Sequence, residues 1–369
     1  MPIHYQKFIS IIFLFIIFAT PVFSAPSVGS TALILYRDSN FHKEDMDPTN
    51  PDPSPNGLNI QELEIKLSAD VDLYTELNLV LSVHPYAESD GTQIEEKWLI
   101  EPEEVYAENN RISFVQLKLG KFKAFIGKHN TLHTHAFVFV EEPLGNTYLL
   151  GEEGLNDTGA SASIKLPTTW ASDLTLQYLR GKGENESFKS PRPGDGVSIG
   201  HLKNLLDLSH ATSLELGVSA AIGANSFRKS TTLSGADVTL RWTPTEAEKY
   251  NSLFWTTEYL QRRQEQPDVA TEVGSGFASW VQYQISQQWA TVYRYDNIKF
   301  ENSFDPSWSN EILTRNSFGI AYTASEFSTV KVEINQRKGG LKSVSGEETE
   351  NTFFLQFNLT MDAHAGHDH

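Results

Sequence analysis

The stretch LELGVSAAI, residues 214–222, decides the fold. Leu214, Leu216, Val218, Ala220 and Ile222 stand at every second position, with Glu215, Gly217 and Ser219 between them. A period of two puts one apolar and one polar face on an extended chain, and a helix cannot sustain it. The next runs repeat it. Val238, Leu240 and Trp242 oppose Asp237, Thr239 and Arg241; Leu253, Trp255 and Tyr259 oppose Thr256, Glu258 and Arg262. Further along, Val330, Val332 and Ile334 oppose Lys331 and Glu333, and Phe353, Leu355, Phe357, Leu359 and Met361 close the series.

About sixteen such segments can be counted along the chain, within a range of roughly 14–18, at a spacing that suits membrane strands of ~9–11 residues. Only residues 201–208 carry a brief helical ambiguity. The fold class predicted is all-β, a transmembrane antiparallel β-barrel. Its polar faces carry full charges on strand after strand, as a wet lumen wall would: Glu215, Asp237, Arg241, Glu258, Arg262, Arg294, Lys331 and Glu333 are the candidate pore-lining residues. Tyr178, Trp242, Trp255, Tyr259, Tyr283, Trp289, Tyr293, Tyr295 and Tyr322 fall near strand ends, where an interfacial girdle belongs. Closure also removes the edges that so large a sheet would expose. A soluble β-sandwich or barrel with a dry core is the competing architecture.

Residues 1–24 read as a secretory signal peptide: Lys7, the apolar run FISIIFLFIIFAT, and small residues before Ala25. Residues 25–361 form the barrel and 362–369 a His-rich tail. Polar stretches at 42–57, 181–196, 265–272 and 339–350 are expected as extracellular loops, with short periplasmic turns at 286–288 and 324–326. The formal charge of -18 excludes nucleic acid as a partner, since no basic stripe could neutralise phosphates. Zero cysteines exclude disulfides, thiolate zinc sites and thiol nucleophiles. The absence of GxSxG and HExxH patterns argues against an enzyme.

Residues 117–167 depart from plain strand and turn. His129, His133 and His135 share parity, so an extended chain would aim all three imidazoles one way, with His at i and i+2 about 7 Å apart. With Glu142 or Glu141 they are candidate metal ligands, zinc being the cation such donors suit. Alternatively they hydrogen-bond loop backbone to the barrel wall, folding 122–157 inward to narrow the pore. His364, His367 and His369 in the tail are a second candidate metal collector.

The run GKFKAFIGKHN (120–130) resembles the corresponding stretch of phosphate-selective outer-membrane porins. With His133-Thr134-His135, Glu142-Pro143-Leu144, residues 150–155 and Gly159, the longer pattern is similar to an uncharacterised Gram-negative porin-like family. Its members are often labelled zinc-regulated outer-membrane receptors. The resemblance implies an outer-membrane channel passing small hydrophilic solutes or ions, linked to zinc or another divalent metal, in a homotrimer. A receptor would need a plug domain, for which there is no room before the first strand, so passive diffusion is expected. A non-conducting structural or adhesive barrel, or a metal-binding outer-membrane protein, is the alternative. Many such barrels end on an aromatic residue; here a polar tail follows Met361, and Phe357 is the nearest substitute.

Overall fold

The computed structural model describes residues 26–40, 56–89, 94–151, 153–183, 185–244, 250–303, 308, 312–339 and 349–361. The expected signal peptide, the tail with His364, His367 and His369, and most of 42–57 and 339–350 lie outside the described residues.

Sixteen strands follow in chain order: β1 Ser27–Ser39, β2 Gly57–Asp70, β3 Thr75–Ser89, β4 Ile94–Ile112, β5 Val115–Lys123, β6 Asn156–Lys165, β7 Ala171–Leu179, β8 Val197–Ser209, β9 Thr212–Ala224, β10 Ser230–Trp242, β11 Ser252–Gln264, β12 Glu272–Gln284, β13 Trp289–Glu301, β14 Leu313–Ser325, β15 Ser328–Lys338 and β16 Thr349–Met361. Each pairs antiparallel with its chain neighbours, and β1 pairs with β16 to close the barrel. Residues 201–208 belong to β8, not to a helix. Short turns and both termini of the barrel gather at one end. Most of the longer connections, including 124–155 between β5 and β6, leave from the other, with 243–251 between β10 and β11 the exception.

The faces are inverted relative to a water-soluble domain. Leu216, Val218, Ile222, Phe318, Ile320 and Ile334 point outward and are exposed, and so are Trp242, Trp255, Tyr259, Trp289 and Tyr293. Arg294, Asp296, Glu333, Glu258, Asp237 and Gln356 point inward and are buried. An exposed apolar belt around a polar interior is the informative observation here, because single exposed apolar residues are ordinary.

Register explains one consequential placement. Val80 of β3 pairs with Glu104 of β4, while Leu81 pairs with Pro102, so Glu103 is an extra residue without a partner opposite. This bulge turns two consecutive glutamates, Glu103 and Glu104, to the inside, where strict alternation would send one out. Pro102 tolerates the disrupted ladder because it has no N–H to leave unpaired.

The interior is not empty at mid-height. Residues 124–155 fold inward, with a short helix α1 at Leu144–Leu150, and pack Ile126, Leu144, Leu149 and Leu150 against Leu233, Leu260 and Ile298 of the wall. The apolar inward residues therefore sit where the segment needs a core, near the long-connection ends of their strands.

Candidate functional site

The inward segment is pinched at its neck. The Ala124 N–H donates to the Leu155 carbonyl (2.8 Å), and the Asn130 side chain bonds both Ala124 and Leu155. From there it is fastened to three parts of the wall, the first two through backbone groups that a loop in a lumen would otherwise leave unsatisfied and the third through side chains.

The first anchor is on β9–β11. One Glu258 carboxylate oxygen accepts the N–H groups of Lys128 (2.5 Å) and His129 (2.9 Å), Ser219 accepts from Gly127, and the Lys128 ammonium lies 2.5 Å from Glu215. Gly127 has φ +61°, and a Cβ there would lie 2.8 Å from the Glu258 carboxyl, so only glycine permits this approach.

The second anchor is on β13–β15. The Glu333 carboxylate accepts from the Val140 N–H (2.7 Å) and Asp296 from the Leu144 N–H (2.8 Å). Arg294 donates to the Glu141 carbonyl (2.6 Å) and lies 4.0 Å over the Phe139 ring. Arg315 bridges the Glu141 carboxylate (3.0 Å), the Glu142 carbonyl and Asp296 (2.7 Å), and Lys331 donates to the Phe137 carbonyl. Partial desolvation in the lumen pushes the Glu141 carboxyl up, but its side chain stays half-exposed, and the guanidinium of Arg315, followed by those of Arg337, Arg294 and Arg37, holds it below its ordinary value. Next to these clamps, α1 lies flat on β12, where Gly145 meets Gly276.

The third anchor joins the segment to β2–β5. His133 presents Nδ1 to Glu103 (3.0 Å) and Glu64 (3.3 Å), and Nε2 to Glu104 (3.1 Å). His135 aims its Nδ1 at the same Glu64 oxygen (3.2 Å), and the two imidazoles stack with ring centroids 6.0 Å apart. Lys123 pairs with the other oxygen of Glu103 at 2.6 Å. Burial pushes the His133 imidazole toward neutrality, but Glu103, then Glu104 and Glu64, outweigh it and hold its pKa well above the ordinary value.

All eight charged residues expected on the lumen wall face inward. Six of them touch the segment itself: Glu215, Glu258, Arg262 (to the Leu149 carbonyl), Arg294, Lys331 and Glu333. Asp237 is buried beside Gly217, and Arg241 lies 4.0 Å from Glu215. Opposite charges fall on adjacent strands, as with Asp296 beside Arg315, so these residues pair laterally and do not face one another across open water.

The metal set expected from parity changes membership. His129 does not join His133 and His135, because 127–131 is a turn and Thr134–Ala136 a 3-10 turn, so the alternation of a strand does not apply. Its ring is buried among Phe137, Phe139 and Trp280, with neither nitrogen hydrogen-bonded, and burial holds its pKa well below the ordinary value. Glu142 takes part in the Arg315 clamp through its carbonyl. Glu64, Glu103 and Glu104, which sequence reasoning missed, are the side chains that surround His133. The only local signal was the pair of adjacent glutamates after Pro102.

Below the segment, toward the short turns, a cavity of about 300 Å³ opens between Phe125, Ser163, Lys165, Asp173, His201 and Lys203.

This architecture has known counterparts. An anion-selective porin from Comamonas acidovorans superposes with a TM-score of 0.59, covering 91% of this chain and 99% of its own at 9% identity. The chain has the porin fold. Pseudomonas putida OprB (TM-score 0.58, 8% identity) and Salmonella typhi OmpF (0.58, 10%) each match over 91% of this chain, and over 94% and 97% of their own. In sequence, an uncharacterized protein of Aquifex aeolicus is 26% identical over 345 residues, spanning 84% of this chain and 70% of its own. No family profile matches the chain.

Proposed function

We propose that the protein is an outer-membrane diffusion channel for small hydrophilic solutes and ions, constricted by residues 124–155. The observation that carries this reading is the inverted barrel: an exposed apolar outer belt, which only lipid would cover, around a charged interior that a fastened segment narrows. The porin likeness supports the architecture, and the cavity of about 300 Å³ beside Lys165, Asp173 and Lys203 supplies continuing space below the segment. The lumenal charges, Asp237 and Arg241 foremost because neither is engaged by the segment, would set ionic selectivity.

Purified protein inserted in a planar bilayer is expected to give discrete conductance steps. Substitution of Gly127 by Val, which breaks the approach to Glu258, should make those steps unstable. Absence of any steps from folded protein would refute the channel and favour a structural or adhesive barrel. A homotrimer is the assembly expected from the resemblance, and the mass of the detergent-solubilised particle reads it directly.

A further inference from the structure

We propose that the wall of β2–β4 and the inward segment together form a binding site for a divalent transition cation of the zinc class, with Glu64, Glu103, His133 and His135 as its ligands. The proposal deepens the channel reading and places this site within the constricted lumen.

Glu64, Glu103 and His133 bring one ligand atom each within 4.8 Å of one another. The individual contacts are tighter: His133 Nδ1 to Glu103 at 3.0 Å, His133 Nδ1 to Glu64 at 3.3 Å and His135 Nδ1 to Glu64 at 3.2 Å. A tetrahedral zinc ion with bonds of ~2.0–2.1 Å holds its ligand atoms about 3.3 Å apart along each edge. Three of the edges are thus already near the length the ion requires, while His135, close to Glu64 but outside that group of three, would swing in as the fourth ligand.

The surroundings point the same way, independently of the ligand atoms. Metal-binding histidines almost always donate their other ring N–H to a carboxylate or carbonyl, which fixes the ring and its tautomer. Here His133 turns Nε2 to Glu104 at 3.1 Å while Nδ1 faces the ligand carboxylates. Lys123 takes the second oxygen of Glu103, leaving the first directed at the site, and the carbonyl of His135 accepts from Asn358, fixing the backbone that carries the second imidazole. Glu103 is available only because the β4 bulge turns it inward beside Glu104. Glu62, Glu64, Glu103 and Glu104 are all buried there against Lys123 and the His133 imidazole, so a divalent ion that displaces the His133 proton would still leave the carboxylates in excess of fixed positive charge.

The test uses the full chain folded in detergent, with His364, His367 and His369 changed to Ala so that the tail does not contribute. Titration with Co2+, read by the d–d absorption of tetrahedral cobalt, and with Zn2+ by calorimetry, should saturate at one ion per chain. Glu103→Gln and His133→Asn should each weaken binding at least tenfold. Glu104→Gln should weaken it about 10–100-fold while leaving every ligand in place. His129→Asn should leave it unchanged. No saturable binding by the parent protein, or binding by Glu103→Gln and His133→Asn equal to it, would overturn the site. So would an equal loss in His129→Asn, which would mean general loosening. Heat-modifiable mobility reports folding of each variant. Conductance from the same preparations separates the two readings. A conducting protein that binds no metal removes the site alone, and a metal-binding protein that does not conduct removes the channel alone.

Discussion

Gly276→Ala is the smallest change that should unseat the constriction. The Gly276 Cα faces α1, and an added Cβ would lie 2.5 Å from the Gly145 Cα and 3.5 Å from the Gly145 nitrogen and the Ile298 methyl. Carbon atoms rest about 3.5–4.0 Å apart, so α1 must withdraw from β12 by at least about 1 Å. Its first N–H donates to Asp296 at 2.8 Å, and a 1 Å retreat takes that bond beyond the normal ~2.7–3.2 Å range. Overpacking of this kind typically costs about 1–3 kcal/mol. The backbone of Gly276 does not need glycine for its dihedral angles, so the effect is steric. Gly145→Ala is the internal control: its Cβ would meet Gly276 at 3.2 Å, a milder contact, and Ala favours a helix over Gly by up to ~1 kcal/mol. Guanidinium unfolding of the two variants should therefore rank Gly276→Ala as the less stable. Its single-channel conductance should also fall, because α1 has only the lumen to move into. Stability within about 0.5 kcal/mol of the parent together with unchanged conductance would refute the seat formed by these two glycines.

Three further outcomes follow from the anchors. Arg294→Met should cost about 3–5 kcal/mol in chemical unfolding, because it strips a fully buried cation from Glu333 (3.7 Å) and leaves Asp296 to Arg315 alone; a loss below ~1 kcal/mol would mean the Glu333 carboxylate is compensated by other groups. The Glu141 carboxyl, held below its ordinary value, stabilises the segment above the unfolded value near 4.5, and this contribution is lost as pH falls through the lowered one. Proteolysis at 124–155 and channel flicker should rise in that acid range, and Glu141→Gln should abolish the step while raising the neutral-pH baseline. Reversal potentials under a salt gradient should favour cations over anions, and an anion preference would contradict the charge reading.

Strand number and facing were legible because one repeated rule, alternation, governs every membrane strand, and Leu214 to Ile222 already contains it. The eight inward charges were legible for the same reason. What they do there was not. A lumen wall and a set of clamps carry the same residues, and only the third dimension tells that Glu333 accepts from Val140, 193 positions away. The His triplet misled because its parity argument assumes an extended chain, whereas Gly127 and the turn after it rotate His129 away from His133. The glutamates that meet His133 were hidden twice over: by sequence distance and by a bulge that breaks the alternation used to read them. Helix α1 escaped because Leu144–Leu150 is too short to show a period of its own.

The whole-chain charge is a poor guide to selectivity, and the anchors give a better one. On β2–β5, Glu62, Glu64, Glu103 and Glu104 stand against Lys123 and the His133 imidazolium of the inward segment. On β9–β11, Glu215, Asp237 and Glu258 stand against Lys128 and Arg241. On β13–β16 with β1, the balance tips the other way, with Arg37, Arg294, Arg315, Arg337 and Lys331 against Glu141, Asp296, Glu333 and Glu350. The constriction therefore has one acidic wall and one slightly basic wall. Ions passing between them meet a field that no pairing of Arg241 with Glu215 or Arg294 with Glu333 would create, since those pairs cancel locally. The acidic wall has the larger excess and sits in low dielectric, where unpaired charge acts most strongly. Cation preference should then depend on Glu62, Glu64, Glu103 and Glu104 far more than on loop carboxylates. Neutralising Glu62 and Glu104 together should shift the reversal potential toward zero, whereas neutralising Glu301, which lies exposed at the long-connection end of β13, should leave it in place.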